Sequence, residues 1–236
     1  MNRRLLFFAA IVALLSLGSL PALALPGSQK SSARTAATSS KAARSSQNPP
    51  ATITVDDVKD IDPTKAFGSK NAPVVMEVFT DFQCPACKVL YLTTLQRVLD
   101  NYVNSGKIYM VHRDFPLPMH AYSMVAALYS RAAAHIGRCE VVEQALFENQ
   151  EKWEMNGDVK GTVAAVLTPA EMKKVEALVE SGAVQPFIDR DKQIGQAVPV
   201  TQTPTSVLHT RNGQTYPVVG QVSYDVLKTL LDQLVK

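Results

Sequence analysis

The sequence predicts an α/β protein in which a block of helices interrupts a small sheet-and-helix core. Three observations carry that prediction. First, the near-continuous apolar run Val74 to Thr80 leads into Cys84-Pro85-Ala86-Cys87 and a helical pattern, after which Ile108 to His112 reads as a strand again. Such runs mark strands buried on both faces of a sheet, and a strand–helix–strand order implies parallel pairing through a right-handed crossover. Second, from Met119 to Val198 the pattern changes to helices. Third, Thr205 to His209 and Tyr216 to Val219 flank Arg211-Asn212-Gly213-Gln214. Asn-Gly between two such runs is a strong hairpin signal.

From the N-terminus, residues 1–24 read as an export signal. Arg3 and Arg4 precede the apolar run Leu5 to Leu20, broken by Gly18, and Ala22-Leu23-Ala24 matches a small-x-small cleavage pattern. An uncleaved anchor is the alternative, because the apolar stretch reaches Leu25 and approaches the length that spans a bilayer. Residues 25–50 are rich in Ser, Ala, Lys and Arg with no aromatic residue. They bury too little apolar surface to offset ordering, so a disordered tether is expected. Of 24 basic and 21 acidic residues, six basic and no acidic ones lie in residues 1–50, leaving 18 basic and 21 acidic beyond, a net of −3. The positive charge therefore belongs to the signal and tether, and the folded part is not expected to bind nucleic acid.

Beyond the tether, Thr52 to Val55 is expected to form a short strand, and Val74 to Thr80 a buried one. Pro85 to about Asn104 carries Val89, Leu92, Leu95, Val98, Leu99 and Tyr102 at helical spacing, and Asn104-Ser105-Gly106 ends it with turn chemistry. Helices are expected over Ala121 to Arg138, over Val141 to Trp153 (with Asn149 interrupting the apolar face), and from the capping box Thr168-Pro169-Ala170-Glu171 to about Glu180. Another is expected over Pro186 to Gly195. Ser223 caps a last amphipathic helix with Val226, Leu227, Leu230, Leu231 and Leu234 on its apolar face.

Cys84 and Cys87, at i and i+3 of a helix start, are expected to share one exposed turn on which a disulfide ring can close and reopen. The helix N-terminus aims unpaired N–H groups and a positive dipole end at the first sulfur, which favours its thiolate. A structural zinc site wants four ligands, and beyond this pair only Cys139 remains, with no second Cys-x-x-Cys. A purely structural disulfide is the other alternative, but so short a loop restricts the unfolded chain little. Three cysteines give one pair and one left over; Cys139 is expected as a small buried residue in a helix. Neither a metal nor any other cofactor is expected. His112, His120, His135 and His209 are expected to be structural, His209 and His135 at the surface or half-buried.

Three stretches resemble the DsbA family of exported thiol–disulfide oxidoreductases, in particular its BdbD-like branch: Phe79-Thr80-Asp81-Phe82-Gln83-Cys84-Pro85-Ala86-Cys87, Arg113-Asp114-Phe115-Pro116-Leu117 with His120, and Val200-Thr201-Gln202-Thr203-Pro204-Thr205. The resemblance implies a thioredoxin fold with an inserted α-helical subdomain: residues 51–118 and 199–236 for the thioredoxin-like domain, 119–198 for the helical insertion. It implies Cys84 and Cys87 as the catalytic, redox-active pair, with Pro85, Ala86, Thr203 and Pro204 supporting them. The Thr203–Pro204 bond is expected to be cis and the loop to face the disulfide, leaving the Thr203 backbone to pair with an extended substrate; an ordinary trans proline at a strand entry is the alternative. Expected partners are unfolded or reduced exported proteins and a membrane quinone-linked reoxidising protein, DsbB-like or vitamin K epoxide reductase-like. Location is expected to be periplasmic or otherwise extracytoplasmic. With Pro85-Ala86 there is no histidine between the cysteines, so a less oxidising disulfide is expected than in relatives carrying Pro-His. Related proteins have a buried carboxylate six residues before the first cysteine; here that position is Val78. Glu77, one residue earlier, is placed by strand alternation on the opposite face, as a solvated or paired surface acid. Two other functions fit the same residues: a reductase or isomerase, and a non-enzymatic peptide-binding chaperone.

Overall fold

The computed structural model describes residue 58 and residues 60–198 and 200–236. The expected signal (1–24), tether (25–50) and Thr52–Val55 strand lie outside the described residues. Five strands, β1 (Ala66–Phe67), β2 (Val74–Thr80), β3 (Ile108–Asp114), β4 (Thr205–Thr210) and β5 (Thr215–Val219), form one sheet in the order β1-β3-β2-β4-β5. All seven residues of β2 are buried, as its unbroken apolar run demands of a central strand. β2 pairs parallel with β3 and antiparallel with β4, with Val78 opposite His112 and Ser206. β4 and β5 form the hairpin that Asn212-Gly213 signals; Gly213 takes φ +83°, a conformation that side chains with a Cβ rarely adopt.

The crossover from β2 to β3 is one long helical segment. It opens as α1 (Pro85–Val89), widens to π geometry over Leu90–Leu95, tightens in α2 (Gln96–Val98) and widens again over Leu99–Val103. Its apolar face meets the terminal helix α9 (Tyr224–Leu234), and polar pegs fix the packing: Tyr102 donates to Asp232 at 2.5 Å and Thr94 donates to the Val222 carbonyl at 2.9 Å.

Between β3 and β4 the chain forms six helices: α3 (Ser123–His135), α4 (Cys139–Glu148), α5 (Gln150–Asn156), α6 (Val159–Ala164), α7 (Pro169–Glu180) and α8 (Gln185–Ala197). The capping box opens α7, with Thr168 accepting from the Glu171 N–H and Glu171 accepting from Thr168. The single helix expected over Val141 to Trp153 is two. Asn149 divides it, its side chain donating to the Ala145 carbonyl at 2.9 Å. Trp153 on α5 is buried, its indole N–H donating to the Leu146 carbonyl at 2.7 Å across that break. No described helix is long and apolar enough to cross a membrane.

A buried ionic network lies where the insertion meets the sheet. Lys65 Nζ lies 2.7 Å from Asp114 and 2.9 Å from Glu143. Arg131 reaches Asp62 at 2.9 Å and Asp114 at 2.6 Å, and also bonds Asp191. Arg113 bridges Asp191 at 2.9 Å and Glu77 at 2.7 Å, and His209 completes the chain on Glu77 at 2.8 Å. Glu77 thus faces away from the Cys84 helix, as alternation requires, but it is a buried partner and not a surface acid. Burial alone would raise its pKa; His209 and Arg113 outweigh that and hold it below the usual carboxylate value. His209, expected at or near the surface, is fully buried for the same reason.

Candidate active site

The turn between β2 and α1 is built by Asp81. Its carbonyl accepts from the Cys84 N–H at 3.1 Å, and its carboxylate accepts from the Gln83 N–H at 2.7 Å. This places Cys84 at the N-cap in extended conformation (φ −81°, ψ 120°), with Pro85 as the first helical residue. Proline suits that position because its missing N–H has no helical partner there. The start of α1 is fixed from the insertion as well: Gln150, buried on α5, donates to the Phe82 carbonyl at 2.6 Å and to the Cys84 carbonyl at 3.1 Å. Neither Gln150 nor the linking role of Asp81 has a local sequence signal, since both act across more than thirty residues.

The two sulfurs sit in different surroundings. Cys84 is 7% exposed and Cys87 0%, so the turn is more covered than a bare helix tip implies. Pro85, between them in sequence, is exposed. The cover over Cys84 includes the loop before β4. The Thr203–Pro204 peptide bond is cis, and the Thr203 carbonyl accepts from the Cys84 thiol at 3.4 Å. The structure therefore brings together Cys84, Cys87, Pro85, Ala86, Thr203 and Pro204, from two segments about 120 residues apart.

The Cys84 thiol is lowered from 9.0 to about 6. The Cys87 thiol donating to it is the main cause; burial opposes, and the Thr203 side chain with the N–H groups of Cys87 and Ala86 adds to the lowering. Cys87 is pushed well above 9.0 by burial and by the Cys84 sulfur beside it. Cys139, buried at the start of α4, is likewise raised by burial and by Glu143. Among the described residues no group of three or more His, Cys, Asp or Glu side chains is placed to hold a metal ion.

These shifts give an expected result for the reduced protein. Iodoacetamide should label Cys84 with a rate that rises with pH to a half-maximum near 6, while Cys87 and Cys139 stay unlabelled in the folded protein at pH 7. Mass spectrometry of quenched samples reads this. Equal labelling of two cysteines, or a Cys84 midpoint near the ordinary 9.0, contradicts the asymmetry. A folded-state pKa below the unfolded one stabilises the reduced form fully above about 9, and the gain is lost as pH falls through about 6.

Fold and site together are those of a thiol–disulfide oxidoreductase. The family model described as Thioredoxin matches residues 61–233, and the chain belongs to that family. A curated relative, "Probable disulfide bond formation protein D" of Bacillus cereus, is 22% identical over 180 residues, covering 73% of this chain and 79% of that protein. Among solved structures, alpha-DsbA1 of Wolbachia pipientis superposes with a TM-score of 0.64 at 17% identity, covering 77% of this chain and 96% of that one. BdbD of Bacillus subtilis, in its oxidised form, gives 0.61 at 18% identity, with 72% and 92% covered.

Proposed function

We propose that the protein is exported and donates a Cys84–Cys87 disulfide to reduced proteins folding outside the cytoplasm. The observation that carries this is the contrast between the sulfurs: an ionisable Cys84 at the helix start against the Thr203 loop, and a wholly buried Cys87. In the oxidised enzyme a substrate thiolate attacks Cys84 Sγ and Cys87 leaves with the bonding electron pair. A second substrate thiolate then attacks the substrate's own sulfur in the mixed disulfide, and Cys84 leaves as a thiolate. Because Cys84 is stabilised as a thiolate, the reduced enzyme is favoured and its disulfide is a ready oxidant.

Pro85 and Ala86 shape the turn in this reading. The Thr203 carbonyl, released once Cys84 carries no proton, accepts from the backbone of an extended substrate in the manner of strand addition. The thioredoxin-like part spans 51–118 and 199–236, and the helical insertion 119–198. Turnover requires reoxidation by a membrane quinone-linked partner of the DsbB or vitamin K epoxide reductase type. The named relative in disulfide bond formation supports the direction of electron flow. Direction is tested by acid-quenching intact cells and trapping free thiols by alkylation. A donor is found mostly with Cys84 and Cys87 oxidised; a mostly reduced pair makes the protein a reductase or isomerase.

A further inference from the structure

We propose that Asp81, held by His120, is the positioning residue for Cys87 as the leaving group, aiming its own backbone N–H at that sulfur. The inference deepens the proposed exchange reaction and rests on it. When a substrate thiol gives up its proton and its sulfur bonds to Cys84 Sγ, the Cys84–Cys87 bond breaks and its electron pair departs on Cys87 Sγ, which takes up that one proton to become a thiol. The substrate sulfur is oxidised as the enzyme disulfide is reduced, and no further oxidant takes part. The developing negative charge falls on an atom that water does not reach, because Cys87 is fully buried. Such a charge is costly unless a fixed donor faces it.

The Asp81 N–H lies 3.5 Å from Cys87 Sγ. Its direction is not left to the turn alone. Asp81 is buried, and its carboxylate makes three hydrogen bonds. Oδ1 accepts from Gln83 N–H at 2.7 Å, inside the turn. Oδ2 accepts from Leu117 N–H and from His120 Nδ1, each at 2.8 Å, in the loop that follows β3. The carbonyl of the same residue holds the Cys84 N–H. One residue therefore ties both cysteines to a support outside the turn, and this support uses both oxygens of the carboxylate. The His120 ring places its Nδ1 donor on Asp81 and is itself partly exposed. Cys84 draws its low pKa from Cys87, Thr203 and the helix N–H groups, none of which is an Asp81 atom. Loss of the Asp81 clamp should thus slow departure of Cys87 while sparing the ionisation of Cys84.

The test uses the oxidised full-length protein, reduced at pH 7 by a cysteine-containing peptide, with quenched samples analysed by mass spectrometry. The Cys84 titration is followed in parallel by thiolate absorbance of the reduced protein. Asp81→Asn keeps one acceptor but presents an N–H₂ where two donors point. His120→Ala removes one donor. Each should slow reduction about tenfold, the scale of a small misplacement of a reacting group, with the Cys84 midpoint still near 6. His120→Asn, whose side-chain N–H can stand in for Nδ1–H, should recover most of the rate lost in His120→Ala. Wild-type rates in both Asp81→Asn and His120→Ala overturn the proposal. So does a Cys84 midpoint that moves with the rate, which means the whole turn is distorted. If Asp81→Asn does not fold, the Ala and Asn variants of His120 decide by the presence or absence of that rescue. Failure of the wild-type protein to exchange at all refutes the proposed function instead.

Discussion

Cys84→Ser is expected to abolish disulfide exchange, and Cys87→Ser to stop it one step later. The serine hydroxyl at 84 cannot form a disulfide with an incoming substrate, and neither remaining sulfur can take over. Cys87 and Cys139 are buried and their thiols are held well above the ordinary value, so their thiolate populations at pH 7 are negligible. In the Cys87→Ser protein, Cys84 still forms mixed disulfides but has no neighbour to resolve them, so covalent adducts accumulate. The same variant separates the causes of the low Cys84 pKa. A serine hydroxyl at 87 still donates to Cys84, whereas Cys87→Ala removes the donor that lowers it most; the Cys84 midpoint should therefore rise more in Ala than in Ser. Insulin disulfide exchange, non-reducing electrophoresis and the thiolate titration measure the three outcomes. Full activity in Cys84→Ser would turn the assignment toward a peptide-binding module.

The parts of this site that were legible in the sequence are the ones set by near neighbours. Cys84 at an N-cap follows from Pro85, and the central position of β2 follows from seven residues with no polar break on either face until Thr80, Glu77 excepted. That exception marks the limit. Alternation gives the face on which Glu77 lies. It does not tell that Arg113 from β3 and His209 from β4 bind it there, with Asp191 from α8 on the other side of Arg113, and that all of them are buried. Lys65 and Gln150 are illegible for the same reason: Lys65 is buried by partners 49 to 78 residues away and Gln150 by partners 66 and 68 residues away. β1 has two residues, too few for any period to show. α6 has six and contains Gly161, a poor helix former; it is started by the Asp158 carboxylate accepting from the Gly161 N–H at 2.8 Å.

Arg131→Met is expected to cost about 3–5 kcal/mol, the usual range for removing one side of a buried ion pair. Methionine keeps most of the volume, so the loss is electrostatic. Three carboxylates depend on this guanidinium: Asp62 on Nη1 at 2.9 Å, Asp114 on Nε at 2.8 Å, and Asp191 on Nη2. Lys65 still compensates Asp114 and Arg113 still reaches Asp191 and Asp62 keeps Thr64, so the network is weakened and not emptied. Against a total stability of roughly 5–15 kcal/mol the change is large, and the melting temperature should fall by roughly 10 °C. The pH dependence distinguishes this from a packing defect. In the wild type, Asp62 (lowered from 3.8 to about 2), Asp114 and Glu143 have folded-state pKa values below their unfolded ones. Their contribution is complete above the unfolded values and is lost as pH falls through the folded ones, so acid destabilises the protein. Asp191 has the opposite sign: burial, with Asp114 beside it, raises it, and acid relieves that cost. Without Arg131 all three aspartates move upward, and protonation begins to restore what the mutation removed. The stability gap between wild type and Arg131→Met should therefore narrow between pH 7 and pH 4.5 in thermal or urea denaturation, and Arg131→Met with Asp191→Asn should recover part of it at pH 7. A gap that is constant with pH, or one below about 1 kcal/mol at pH 7, places the stability of this seam in its apolar packing instead.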